Sequence, residues 1–216
     1  KAWYMRQSEG AVVMKYINQL EHRDIPYEHN LDHGGVPEEK RNVAAAGCGP
    51  SCLCMMVDAL TLSTYELTDC LKLSNEERFN LNYGETSDLN ELKAHLAKGG
   101  LAIANSGGDR EGYTGVFTHG GHYILVVSAD DNEACILDPS YKEGKYEEPG
   151  RDGKARAVDG FVYCSLKVLA EDCANRTPSY YLFSRKHLEL PRIHAKMQII
   201  VSDRAGLRKV PGRMHP

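Results

Sequence analysis

The stretch GHYILVVSADDNEACILDPS, residues 121 to 140, reads as two β-strands joined by a tight turn. Apolar and β-branched residues run from His122 to Ala129 and again from Glu133 to Asp138, with Asp130-Asp131-Asn132 as turn residues between them. Strands joined so closely pair antiparallel. His122 opens the first strand and shares its face with Ile124 and Val126, which would hold the imidazole rigidly. Sixteen residues further on, Asp138 closes the second strand. At roughly 3.3 Å per residue, a tight hairpin returns the chain to its starting level after about that distance. The spacing therefore predicts that His122 and Asp138 are neighbours. Pro139 lacks an N–H and ends the strand beyond the carboxylate.

Working outward, the period changes from 2 to 3.6. Towards the N-terminus, Leu53, Met56, Val57 and Leu60 recur at i, i+3, i+4 and i+7, predicting a helix from about Pro50 to Leu60. Residues 11 to 22 also carry helical spacing through Val12, Val13, Tyr16, Ile17 and Leu20. Ser63 to Glu66, STYE, reads as a capping box opening a short helix. Another helix is predicted over Asp88 to Lys98, with Leu89, Leu92 and Leu96 inward and Gly99-Gly100 as its stop. Residues 101 to 105 read as a further strand, 166 to 172 as a helix and 179 to 185 as a strand. Helices come first and an antiparallel sheet second, which defines an α+β class rather than alternating βαβ units. Residues 1–186 are expected to form one domain. Residues 187–216, with a candidate strand KMQIIVS and a basic end punctuated by Pro and Gly, form a C-terminal extension.

Composition narrows the function classes. Of 216 residues, 42% are hydrophobic and 26% charged, an ordinary globular mixture. A net charge of −4 gives no electrostatic case for nucleic acid or an anionic membrane. The longest apolar runs are too short for membrane insertion. Seven cysteines cannot all pair within one chain and show no small disulfide framework. They favour a reducing, cytoplasmic compartment, although a chain starting at Lys1 leaves room for a removed export signal.

Three of the cysteines fall in NVAAAGCGPSCLCMMVDAL, residues 42 to 60. Cys48 stands at the mouth of the predicted helix, between Gly47 and Gly49 and just before Pro50, which suits a first turn. Helix N-termini favour anions, so a thiol there ionises more readily, and the thiolate is the nucleophile. Flanking glycines let a substrate backbone approach. Cys52 and Cys54 lie inside the helix, where small thiols pack as core. A metal site joining Cys48, Cys52 and distant histidines is the alternative. Structural zinc sites usually use C-x2-C pairs, however, and this chain has none here. Neither a metal nor a cofactor is expected. A nucleophilic Cys48 needs a base and an orienting acid, and His122 and Asp138 supply both residue types. His119, in the glycine-rich loop before the strand, reads as a solvated loop residue.

GCGPSCLCMM, LKAHLAKGGLAIANS and FTHGGHYILVVSADDNEACILDPS together resemble the papain-like cysteine peptidases related to bacteriocin (double-glycine) leader-processing peptidases, most closely the freestanding peptidase-like branch. The resemblance covers roughly residues 40 to 186. It implies a papain-like fold, with the nucleophile helix packed on an antiparallel sheet that carries the histidine and the acid. It also implies Cys48 as nucleophile, His122 as base and Asp138 as orienting acid, acting on a peptide or protein substrate. Such enzymes usually place an oxyanion-hole glutamine about six residues before the nucleophile. Asn42 stands there in this chain and carries the same carboxamide on a shorter stem. Loop 105–121 matches the family's substrate-lining loop and holds six glycines, so Gly120 and Gly121 are candidates for substrate contact. Three readings follow. One is a peptidase acting through a thioester acyl-enzyme, another a cysteine acyltransferase or transglutaminase-like enzyme, and the third an inactive peptidase-like binding module.

Overall fold

The computed structural model describes residues 2–7, 10–27, 37–61, 63, 65–75 and 80–186. The C-terminal extension expected at 187–216, with its candidate strand, lies outside the described residues. The chain opens with an antiparallel hairpin of β1 (Ala2–Gln7) and β2 (Gly10–Lys15). The helix expected over residues 11 to 22 is therefore a strand followed by a single 3-10 turn at Gln19–Glu21. Adjacent β-branched Val12 and Val13 suit a strand as well as a helix, and β1 supplies the partner that settles the choice.

Five α-helices follow among the described residues: α1 (Val43–Ala46), α2 (Cys48–Leu60), α3 (Leu67–Asn75), α4 (Leu89–Ala97) and α5 (Leu166–Asp172). The STYE capping box does not open α3. That helix starts where Glu66 O accepts the N–H groups of Asp69 and Cys70, three residues beyond Ser63. α4 begins and ends as its sequence predicts. Asp88 Oδ1 accepts from Asn90 and Glu91 N–H at 2.7 and 2.9 Å, and Gly99 (φ +82°) turns the chain out of the helix.

The remaining strands are β3 (Leu81–Thr86), β4 (Leu101–Ser106), β5 (His122–Ala129), β6 (Glu133–Leu137), β7 (Ala155–Val158), β8 (Phe161–Ser165) and β9 (Tyr180–Arg185). They form one antiparallel sheet in the order β3-β9-β4-β5-β6-β8-β7. Strands β3, β7 and β8 were not read from the sequence. β3 and β7 carry little periodic apolar signal and are edge strands that the neighbouring strand positions, whereas β8 (FVYCS) is a short buried apolar run whose type periodicity does not decide.

Alternation along the central strands gives the sheet two apolar faces. Leu101, Ile103, Leu125, Val127 and Leu137 pack with Met55, Met56 and Val57 of α2. Ala102, Ala104, Ile124, Val126 and Ile136 pack on the other side with Leu92, Leu96 and Leu169 of α4 and α5. Each fully buried side chain of this size contributes about 1.5–3 kcal/mol. Two covered faces therefore clamp β5 between α2 and α4, and this rigid frame carries the site.

Candidate active site

α1 and α2 meet at Gly47, where a Cβ would lie 2.5 Å from Val43 Cγ1 and 2.6 Å from Val43 O. Only glycine fits this close approach, and it delivers Cys48 to the first position of the 13-residue α2. The Cys48 side chain is half-buried. The His122 ring and the backbone N–H groups of Tyr123 and Gly49 surround its sulfur and favour the thiolate. Cys52 and Cys54 are fully buried, as core packing requires. The Cys52 thiol donates to Tyr123 O at 3.4 Å, and burial pushes it well above its ordinary range. Among the described residues, no group of three or more His, Cys, Asp or Glu is placed to hold a metal ion.

The pairing of His122 with Asp138 depends on a bulge. β5 and β6 pair Ala129 with Ala134 and Ser128 with Cys135, but then shift by one residue so that Val126 faces Ile136 and Leu125 faces Leu137. One more step sets Asp138 across from Ile124, on the face His122 belongs to. Without the bulge Asp138 would oppose Leu125 and point to the α2 face. In the bulged register His122 Nε2 lies 2.8 Å from Asp138 Oδ1 and 3.0 Å from Ser140 Oγ. The carboxylate is ionised, so Nε2 carries the hydrogen and donates to it, and Nδ1 is left for the thiol.

Asp138 is completely buried, and each of its oxygens is occupied. Ser140 N–H donates to Oδ1 at 2.9 Å. Lys145 Nζ (2.6 Å) and the Tyr146 hydroxyl (2.7 Å) donate to Oδ2. The Tyr16 hydroxyl donates to its main-chain oxygen at 2.7 Å. Lys145 is itself only 4% exposed and also donates to Ser140 Oγ at 2.8 Å. Burial would raise the Asp138 carboxyl, but the Lys145 ammonium and then the His122 hydrogen bond hold it well below the usual carboxylate range. Burial opposes the His122 imidazolium, and the hydrogen bonds to Asp138 and Cys48 overcome that and lift it to about 9. Burial likewise raises the Cys48 thiol, but the His122 hydrogen bond and charge, with the two backbone donors, bring it below its ordinary value. Both shifts favour the thiolate–imidazolium form of the pair. Alkylation of Cys48 by a neutral reagent is accordingly expected to rise at lower pH than that of an ordinary thiol, and on the alkaline limb the His122 imidazolium is lost as pH rises through about 9. Stopped-flow alkylation and a pH–rate profile measure the two limbs.

Cys48 and His122 open onto a cleft of about 520 Å³, also lined by Tyr27, Asn105, Gly121, Tyr123 and Arg176. Gly121 is on its wall. Gly120 is not among the lining residues, and its N–H donates to Thr118 Oγ1. Most of loop 105–121 turns away from the cleft instead. Val116 and Phe117 are buried in the core, and the buried Asp172 anchors the loop by accepting from Val116 N–H (2.6 Å) and the Tyr113 hydroxyl (3.0 Å). His119 is a half-exposed loop residue whose Nδ1 lies 2.9 Å from Asp109 Oδ2.

Asn42 also departs from expectation. Its Oδ1 accepts from Ala45 N–H at 3.1 Å and its Nδ2 donates to Glu39 O at 2.8 Å, so the carboxamide caps α1 and does not line the cleft. Six residues before Cys48, the start of the short helix α1 claims the Asn as its cap. Asn42→Ala is therefore expected to cost about 1 kcal/mol of stability in chemical denaturation. Catalytic rates should be unchanged. A large loss of kcat at unchanged stability would restore the oxyanion role.

Sequence reasoning missed Lys145, Ser140, Tyr146 and Arg176, and included Asn105 only as the first residue of loop 105–121. Ser140 joins Asp138 through a local turn, its N–H on the Oδ1 two residues back, and the others meet the site only once the chain is folded. No protein-family model, curated protein or solved structure matches the chain.

Proposed function

We propose that the chain is a cysteine peptidase of the papain-like class that hydrolyses a peptide or protein substrate through Cys48, His122 and Asp138. The observation that carries this reading is the His122 ring, bonded to the buried Asp138 carboxylate and placed with the Cys48 thiol at the edge of an open cleft. Helix α2 packed on an antiparallel sheet that presents the base suits the same class. The Cys48 thiolate attacks the scissile carbonyl carbon, forming a C–S bond and an oxyanion. The Cys48 N–H at the α2 N-terminus and the Asn105 carboxamide, both on the cleft wall, are the available oxyanion donors. The imidazolium of His122 gives its proton to the leaving amine as the C–N bond breaks, which leaves a thioester. Water then loses a proton to His122, attacks the thioester carbon and releases the acid and the thiolate. Asp138 holds the ring throughout, with Nε2 pinned and Nδ1 towards sulfur. The test is cleavage of a peptide library, with products identified by mass spectrometry with and without added amine. Hydrolysis products dominating in both conditions support a peptidase. Amine adducts exceeding hydrolysis would assign an acyltransferase, and no product in either condition an inactive binding module.

A further inference from the structure

The cleft holds a guanidinium that the reaction above does not use. Arg176 follows α5, and its backbone is fixed by its own N–H donating to Cys173 O (3.0 Å) and by Ser179 Oγ donating to its carbonyl (3.1 Å). The side chain lies over Gly121, where a Cβ would stand 3.0 Å from Arg176 Nη2. The cation is therefore one residue from the base. Arg176 Nε is buried and has no hydrogen-bond partner in the structure. Among the described residues no carboxylate pairs with Arg176, and no Asp or Glu lines the cleft. An unpaired guanidinium with a desolvated donor, in a cleft without acids, is built for an anion that arrives with the ligand.

We propose that Arg176 binds a carboxylate on the leaving-group side of the scissile bond, so that the preferred substrate carries negative charge there. This rests on the peptidase reading for its side assignment. His122 must reach the leaving nitrogen to protonate it, and Arg176 packs against the residue next to His122, so the residue that departs is the one brought to the guanidinium. Glycine at 121 leaves the space through which the two meet, because any side chain there would crowd Arg176 Nη2. The carboxylate has two chemical sources, an acidic side chain on the first leaving residue or the free C-terminus of a leaving amino acid.

Both sources and the anion site itself can be tested separately. Three peptides identical up to the scissile bond carry leaving-side Glu with an amidated end, leaving-side Gln with a free C-terminal acid, and leaving-side Gln with an amidated end. Either acidic peptide is expected to be cleaved about tenfold faster in kcat/KM than the neutral one, and Arg176→Gln to remove that ratio. Preference for the Glu peptide alone identifies the side chain as ligand, and preference for the free acid alone identifies the terminus. In parallel, Cys48 is alkylated with iodoacetate and iodoacetamide, reagents that differ by a carboxylate against a carboxamide. Their rate ratio should fall several-fold in Arg176→Gln, and in the wild type it should fall as salt is raised, which keeps the test available if the variant does not fold. Ratios unmoved by the substitution, or by salt where only the wild type can be measured, overturn the proposal. If the alkylation ratio falls while no peptide is cleaved, the peptidase reading fails and the anion site stands.

Discussion

Cys48→Ala is expected to abolish peptide cleavage, lowering kcat by about 10⁴-fold or more, because no other group on the cleft wall supplies a nucleophile in reach of His122. The same substitution should leave stability within about 0.5 kcal/mol of the wild type. Cys48 is half-buried at the first position of α2, and alanine is the best helix former. Cys52→Ala is the informative contrast. That sulfur is fully buried among α2 and β5, so its removal should cost stability and leave the chemistry in place. Cleavage assays and denaturant unfolding on the two variants separate a reactive thiol from a packing thiol one turn away. Cleavage that persists in Cys48→Ala would refute the mechanism, whatever the fold.

That contrast was legible in the sequence, because glycines around Cys48 and apolar periodicity around Cys52 and Cys54 are local signals. So was the level of Asp138 relative to His122, which follows from strand rise and turn length. Its face was not. Facing depends on one extra residue bulged out between Val126 and Ser128, and nothing in HYILVVSA distinguishes a bulged from a regular strand. The identity of Lys145 as the partner of Asp138 was also hidden, since lysine in KEGKY reads as solvated until the fold buries it. The N-terminal helix failed for the opposite reason. Its local period was helical, but pairing with β1 claimed Gly10–Lys15 for a strand. Asn42, expected as an oxyanion donor, instead gives its carboxamide to the cap of α1. In each case the missing information was a partner that the segment's own periodicity does not encode.

The buried Asp138–Lys145 pair yields the other large expected effect. Asp138→Asn keeps the shape and leaves an acceptor oxygen for the His122 Nε2 hydrogen, so orientation of the ring can survive. It also turns the Lys145 ammonium, 4% exposed and 2.6 Å from Oδ2, into an uncompensated buried charge facing a carboxamide. Breaking a buried pair in this way costs about 3–5 kcal/mol. Adding Lys145→Met should recover much of that loss, so the double variant is expected to be more stable than Asp138→Asn alone and to regain turnover through Cys48, His122 and Asn at 138. Lys145→Met alone takes positive charge away from the carboxylate that His122 shares, so the imidazolium is favoured and the alkaline limb moves above about 9. The acid side gives an independent check. Asp138 is held below its unfolded value, so its contribution is present above the ordinary carboxylate range and is lost as pH falls through its depressed folded value. That acid-dependent loss of stability should be smaller in the double variant. Urea unfolding of the four proteins between pH 3 and 8 measures the whole cycle. A double variant no more stable than Asp138→Asn would show that Lys145 is not held by this carboxylate, and that the alignment of His122 depends on Ser140 and Tyr146 instead.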